Sequence, residues 1–208
     1  MKKIMFALIV SVLGGSSMYA QSSSDQLHIG VKAGANYSNM YDSQNKEYSA
    51  DGKIGFAAGA FVSIPIGTFL GIQPEVLFSQ KGFKATSSVL GNDVSLTRTT
   101  SYIDVPIFLA VKPTEMLTIL VGPQYSFLMK QKDVFSNPIT NITTTDDFNT
   151  DNIRKNTLCL VGGLDINLNN IVIGARAGWD LFNNNGDGTS TTPRYKNVWA
   201  QATVGIRL

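Results

Sequence analysis

The sequence predicts an all-β fold: a closed up-and-down barrel of eight antiparallel strands that crosses a membrane. Three observations predict it. Apolar and polar residues alternate with period two in eight segments, each roughly 10 to 14 residues long, enough for a tilted strand to span a bilayer. One face of every segment is free of Asp, Glu, Lys and Arg, while the opposite face holds charges together with glycines. Short and long connections alternate between the segments.

The segments follow in order. The first sets Leu27, Ile29, Val31, Ala33, Ala35 and Tyr37 against His28, Gly30, Lys32, Gly34 and Asn36. The second puts Ile54, Phe56, Ala58, Ala60, Val62 and Ile64 on one side, and the third sets Leu70, Ile72, Pro74, Val76 and Phe78 against Gln73, Glu75, Ser79 and Lys81. In the fourth, Ile103, Val105, Ile107 and Leu109 oppose Tyr102, Asp104, Pro106 and Phe108. The fifth runs from Leu117 to Lys130, with Val121, Tyr125, Phe127 and Met129 opposite Gly122, Gln124 and Ser126. Leu158, Leu160, Leu164 and Ile166 oppose Cys159, Gly163 and Asp165 in the sixth. Ile171, Ile173, Ala175 and Trp179 oppose Gly174, Arg176, Gly178 and Asp180 in the seventh. The eighth sets Val198, Val204, Ile206 and Leu208 against Trp199, Gln201, Gly205 and Arg207.

A soluble calyx turns its apolar face inward and its charges outward. Glycines beside charges make better sense on the wall of a narrow lumen, where a missing side chain leaves space for a long one. The charge-free face is therefore expected to meet lipid. Tyr37, Phe56, Phe78, Phe127 and Trp179 fall on that face near the long-connection ends and are expected to form an interfacial aromatic girdle.

The turns near Pro65–Thr68, Lys112–Glu115 and Asn169–Asn170 are short; the connections near Ser38–Lys53, Lys84–Arg98, Gln131–Asn156 and Asn183–Asn197 are long and polar. Short periplasmic turns and long extracellular loops are the outer-membrane arrangement. Upstream, Lys2 and Lys3 precede an apolar run from Ile4 to Leu13, then small residues up to Ala20. This pattern predicts a signal peptide over 1–20 and a barrel domain over 21–208, exported to the cell outer membrane. Removing Lys2 and Lys3 lowers the basic count from 17 to 15, equal to the 15 acidic residues, so charge gives no argument for nucleic acid. Cys159 is the single cysteine, so no internal disulfide is expected.

Three stretches resemble the small porin-family, PorT-like outer-membrane β-barrel domain. They are Gly71–Gly82, with its Pro74-Glu75 and Ser79-Gln80-Lys81-Gly82; Tyr102–Ile107, with Asp104 two residues before Pro106; and Val121-Gly122-Pro123-Gln124. The resemblance covers nearly all of the chain after residue 20 and implies an eight-stranded outer-membrane barrel, without a defined activity. Leu208 stands where the family's usual terminal aromatic, part of the signal read by the barrel-assembly machinery, would be.

The inward charges Glu75, Asp104, Asp165, Lys81, Arg176 and Arg207 are expected to pair, because an unpaired charge in a narrow lumen costs several kcal/mol. Glu75, Arg176 and Arg207 are the expected centre of that cluster. His28, the only histidine, falls on the inner face near the periplasmic end, far from the outer rim, and no catalytic residue is assigned. Cys159 lacks metal-binding company. The run Asn183–Gly188 has the oxygen density of a calcium loop but not its spacing, so no metal and no cofactor is expected.

The sequence thus predicts a non-enzymatic barrel with a structural role, or one that offers its extracellular loops to an unidentified surface or envelope protein. Expected partners are outer-membrane lipid and, during insertion, the barrel-assembly machinery. A narrow porin-like channel is one alternative; an accessory barrel of a secretion machine is another, on the resemblance alone.

Overall fold

The computed structural model describes residues 26–42, 50–89, 92–136, 141–146, 156–183 and 195–208. The expected signal peptide and most of the Asn183–Gly188 run lie outside them. The strands are β1 (His28–Asp42), β2 (Ala50–Pro65), β3 (Leu70–Val89), β4 (Asn92–Val111), β5 (Leu117–Ser136), β6 (Asn141–Asp146), β7 (Asn156–Leu168), β8 (Ile171–Asp180) and β9 (Tyr195–Arg207). All pairings are antiparallel, and β1 pairs with β9 from Gly30↔Arg207 to Asp42↔Tyr195, which closes the sheet. Eight strands form the closed ring, in the order β1-β2-β3-β4-β5-β7-β8-β9. β6 stands outside it, paired with β5 over Gln131–Ser136. Closure satisfies the backbone without leaving an edge in the hydrocarbon.

Alternation carries through to burial. Along β8 exposed and buried residues alternate without a break, and below Leu128 β5 does the same. Val31, Val76, Leu109, Val121, Leu164, Ile173 and Val204 are exposed to the surroundings of the barrel. Phe61, Leu77, Tyr102, Phe108, Leu120, Val161 and Trp199 fill the lumen beside buried Lys32, Glu75, Lys81, Asp104, Asp165 and Arg176. The usual in-and-out order of a soluble protein is reversed.

The β7–β8 connection is a two-residue turn, with Leu168 paired to Ile171. Asn169 takes φ 51°, a left-handed conformation that Asn tolerates better than other residues with a side chain. The longer connections depart from the sequence expectation. Lys84–Val89 and Asn92–Thr97 pair in unbroken register, so most of the second connection is strand rather than loop. Gln131–Ser136 is likewise strand, held between β4 and β6. These stretches contain Thr and Val, which favour extended backbone. They carry little apolar alternation, so periodicity could not reveal them.

A bulge explains another difference. Ser101 pairs with Lys130 but Tyr102 pairs with Leu128, which leaves Met129 as an extra residue in β5. The insertion reverses the phase of the strand. Below it the even-numbered residues Gln124 and Ser126 are buried; above it the odd-numbered Gln131 and Asp133 are, and Lys130 is exposed.

Candidate functional site

The lumen holds two layers of ionised side chains. The lower layer lies three to five residues in from the short-turn ends of four strands: Lys32 on β1, Glu75 on β3, Asp165 on β7 and Arg176 on β8. Arg176 Nη1 donates to Asp165 Oδ1 at 2.9 Å, and Nη2 reaches Asp165 Oδ2 at 3.0 Å and Glu75 Oε1 at 3.1 Å. Lys32 Nζ pairs with Glu75 Oε2. Gln73 Nε2 completes the layer, donating to Glu75 Oε1 at 2.9 Å and to Asp165 Oδ2 at 3.2 Å. Two cations thus meet two anions. In the ring β3 and β8 stand four strands apart, directly opposite each other, so the Glu75–Arg176 contact crosses the barrel's diameter.

Glycine makes this possible. A Cβ on Gly174 would strike Arg176 Nη1, Asp165 Oδ1 and Thr203 Oγ1 together. The guanidinium also lies 5.4 Å from the Phe108 ring centroid, close enough for a cation–π contact.

The upper layer is built differently. Lys81 Nζ pairs with Asp104 Oδ2 at 2.9 Å, and Ser79 Oγ donates to the same oxygen at 2.5 Å. These residues come from the adjacent strands β3 and β4. The ammonium lies between two rings, 5.1 Å from Tyr102 and 4.9 Å from Trp199. Nearby, Asp180 accepts hydrogen bonds from Cys159 Sγ at 2.9 Å, from Asn197 N at 3.2 Å and from Asn197 Nδ2 at 2.6 Å. A Cβ on Gly178 would meet the Trp199 ring. Cys159 is fully buried here and its thiol is a hydrogen-bond donor. Above this layer, Arg98 grips Asp133 in a fork, with Nε to Oδ1 at 2.8 Å and Nη2 to Oδ2 at 2.7 Å.

Five of the six charges singled out from the sequence therefore meet a partner in the lumen: Glu75, Asp165 and Arg176 in one layer, Lys81 and Asp104 in the other. Arg207 does not join them. It ends β9 at the short-turn mouth, where Nη2 donates to the Asn169 carbonyl at 2.7 Å. Lys32 takes the place expected for it. The sequence put Lys32 on the correct face; its distance from the strand end, close to that of Glu75 and Arg176, was the usable signal. Asp180 and the Arg98–Asp133 pair were also missed. Of the five aromatics, Tyr37, Phe56, Phe127 and Trp179 are exposed on the outer face and Phe78 is half-buried, 5.3 Å from Phe56 between ring centroids.

An eight-stranded closed ring with an apolar exterior and a charged interior defines an integral outer-membrane β-barrel. The chain belongs to the outer membrane protein beta-barrel domain family, whose model matches residues 19–185. Solved structures agree in fold. Ail, the attachment invasion locus protein of Yersinia pestis, in complex with the heparin analogue sucrose octasulfate, is 15% identical with a TM-score of 0.51, covering 88% of this chain and 99% of its own. Neisserial surface protein A is 12% identical with a TM-score of 0.50, covering 86% and 97%. No curated protein sequence matches significantly.

Proposed function

We propose that this outer-membrane barrel is non-enzymatic and acts at its long-connection end, as a surface-interaction protein. The observation that carries this reading is the lower charge layer: four ionised groups and Gln73 tie opposite walls together and occupy the space a solute would need. A lumen packed in this way favours function at the rims. At the long-connection rim, β4, β5 and β6 continue as paired strands above the Tyr102 level, a stiff platform for the connections they carry. In the outer-membrane arrangement that rim is extracellular. The structural similarity to Ail, which was solved with a heparin analogue, fits a surface role.

The test is to express the protein at the surface of an outer-membrane host and replace 43–49, 137–140 and 184–194 with short Gly-Ser links. Adhesion to host cells or matrix should fall at least about tenfold while the heat-dependent gel shift of the folded barrel is retained. Unchanged adhesion would refute the reading. A narrow channel is the second reading. It requires single-channel conductance in planar bilayers that changes when Glu75 is replaced by Gln. The surface reading expects silence from both proteins.

A further inference from the structure

The short-turn end carries a feature that the surface role does not use. A cavity of about 920 Å³ opens there inside the ring of strands, and Arg207, Lys112 and His28 line it together with Glu115. Lys32 and Arg176 meet carboxylates in the lower layer, Lys81 in the upper, and Arg98 above it. Arg207 makes no ion pair with the described residues. One of its amino groups donates to the Asn169 carbonyl, and its Nε is buried without a hydrogen-bond partner among them. Arg207 is thus an arginine on the inner face without a carboxylate within ion-pair distance among the described residues, unlike Arg176 and Arg98.

The rim of the same cavity is apolar. Phe69 is 64% exposed and Met116 58% exposed, and both line the opening rather than the lipid-facing wall. Asn167 and Asn170 also line the cavity, with their side-chain amides held in place. They are anchored by hydrogen bonds to Glu115 O and Thr118 Oγ1, and to Arg207 O. This combination brings Arg207 and Lys112, one carboxylate, two anchored amides and two exposed apolar side chains to one mouth.

We infer that the short-turn mouth binds the carboxylate end of a short peptide presented from that side of the membrane. The guanidinium of Arg207 takes the carboxylate through Nη1, the donor left neither buried nor bonded, with Lys112 adding positive potential. Asn167 and Asn170 face the peptide groups, and Phe69 and Met116 cover an apolar side chain. A hydrogen bond from a guanidinium to a carboxylate is charge-assisted and about twice as strong as one between neutral groups. The mouth opens within the ring, where lipid tails do not enter, and the amides have no role with an acyl chain; both points favour a peptide over a lipid. Glu115 selects against ligands carrying a second negative charge nearby.

Calorimetric titration of the barrel in phosphatidylcholine nanodiscs tests the assignment. The probes are the tripeptide N-acetyl-Phe-Ala-Leu with a free carboxylate, the same tripeptide amidated, inorganic phosphate and laurate. The free-carboxylate peptide should bind saturably, and the amide about 10- to 100-fold more weakly, the usual worth of a hydrogen bond to a charged group. Arg207→Gln should weaken the carboxylate peptide by a similar factor and leave the amide unchanged. Equal binding of the two peptides overturns the proposal. So does undiminished binding by folded Arg207→Gln, and so does phosphate or laurate competing at the peptide's own concentration. Should Arg207→Gln not fold, Phe69→Ser decides: binding about 5- to 10-fold weaker supports the site, and unchanged binding refutes it.

Discussion

The two charge layers of the lumen solve one problem in two ways. In the upper layer, Lys81 and Asp104 come from neighbouring strands, and two aromatic rings and a serine hydroxyl hold them. In the lower layer, four charges from four strands converge, and one guanidinium bridges two carboxylates across the diameter. The upper pair needs only the β3–β4 register to form; the lower network needs the closed ring. The comparison teaches that the lower layer senses closure, while the upper one reports local pairing. Buried ion pairs add little net stability against a well-packed apolar alternative, but breaking one leaves a stranded charge that costs a great deal.

That difference can be broken experimentally. The largest effect is expected for Arg176→Met, which leaves Asp165 Oδ1 without a donor and Glu75 Oε1 and Asp165 Oδ2 with only the Gln73 amide, so that two carboxylates face the one ammonium of Lys32: about 3–5 kcal/mol of stability should be lost, measured by urea unfolding in lipid vesicles. A loss below about 1 kcal/mol would mean that water already solvates the layer. Lys81→Met should cost less, about 2–3 kcal/mol, because it deprives one carboxylate rather than two, and Asp104 keeps the Ser79 hydroxyl. If the two losses came out in reverse order, the contrast between the layers would collapse. Gly174→Ala should cost about 1–3 kcal/mol through crowding, and the loss should shrink in an Arg176→Met background, since the added methyl collides with that guanidinium. The smallest effect is expected for Arg98→Gln, above the lumen layers and partly exposed: about 1 kcal/mol or less, read from the same unfolding curves.

Legibility in the sequence followed what alternation can encode. Period two tells which face a side chain takes, so Lys32, Glu75, Asp104 and Arg176 were all placed on the inner wall without a structure. It says nothing of height. Arg207 shares a face with Glu75, but β9 ends on it, whereas Lys32 sits four residues in from the start of β1. Strand tilt and register then bring Lys32, rather than Arg207, to Glu75. The bulge at Met129 was silent because both of its neighbours, Leu128 and Lys130, fit a continued alternation well enough. Beyond the apolar band both faces of the sheet are polar, the alternation fades, and strands such as Lys84–Val89 read as loop.

The sequence by itself determined the membrane barrel, its strand number and its inverted faces, because lipid contact on one side and a crowded lumen on the other impose a residue pattern that no soluble fold shares. The tertiary structure alone decided which charges meet, where β5 changes phase and which arginine is left at the mouth. Those outcomes depend on distances between strands far apart in the chain, and closing the ring sets them all at once.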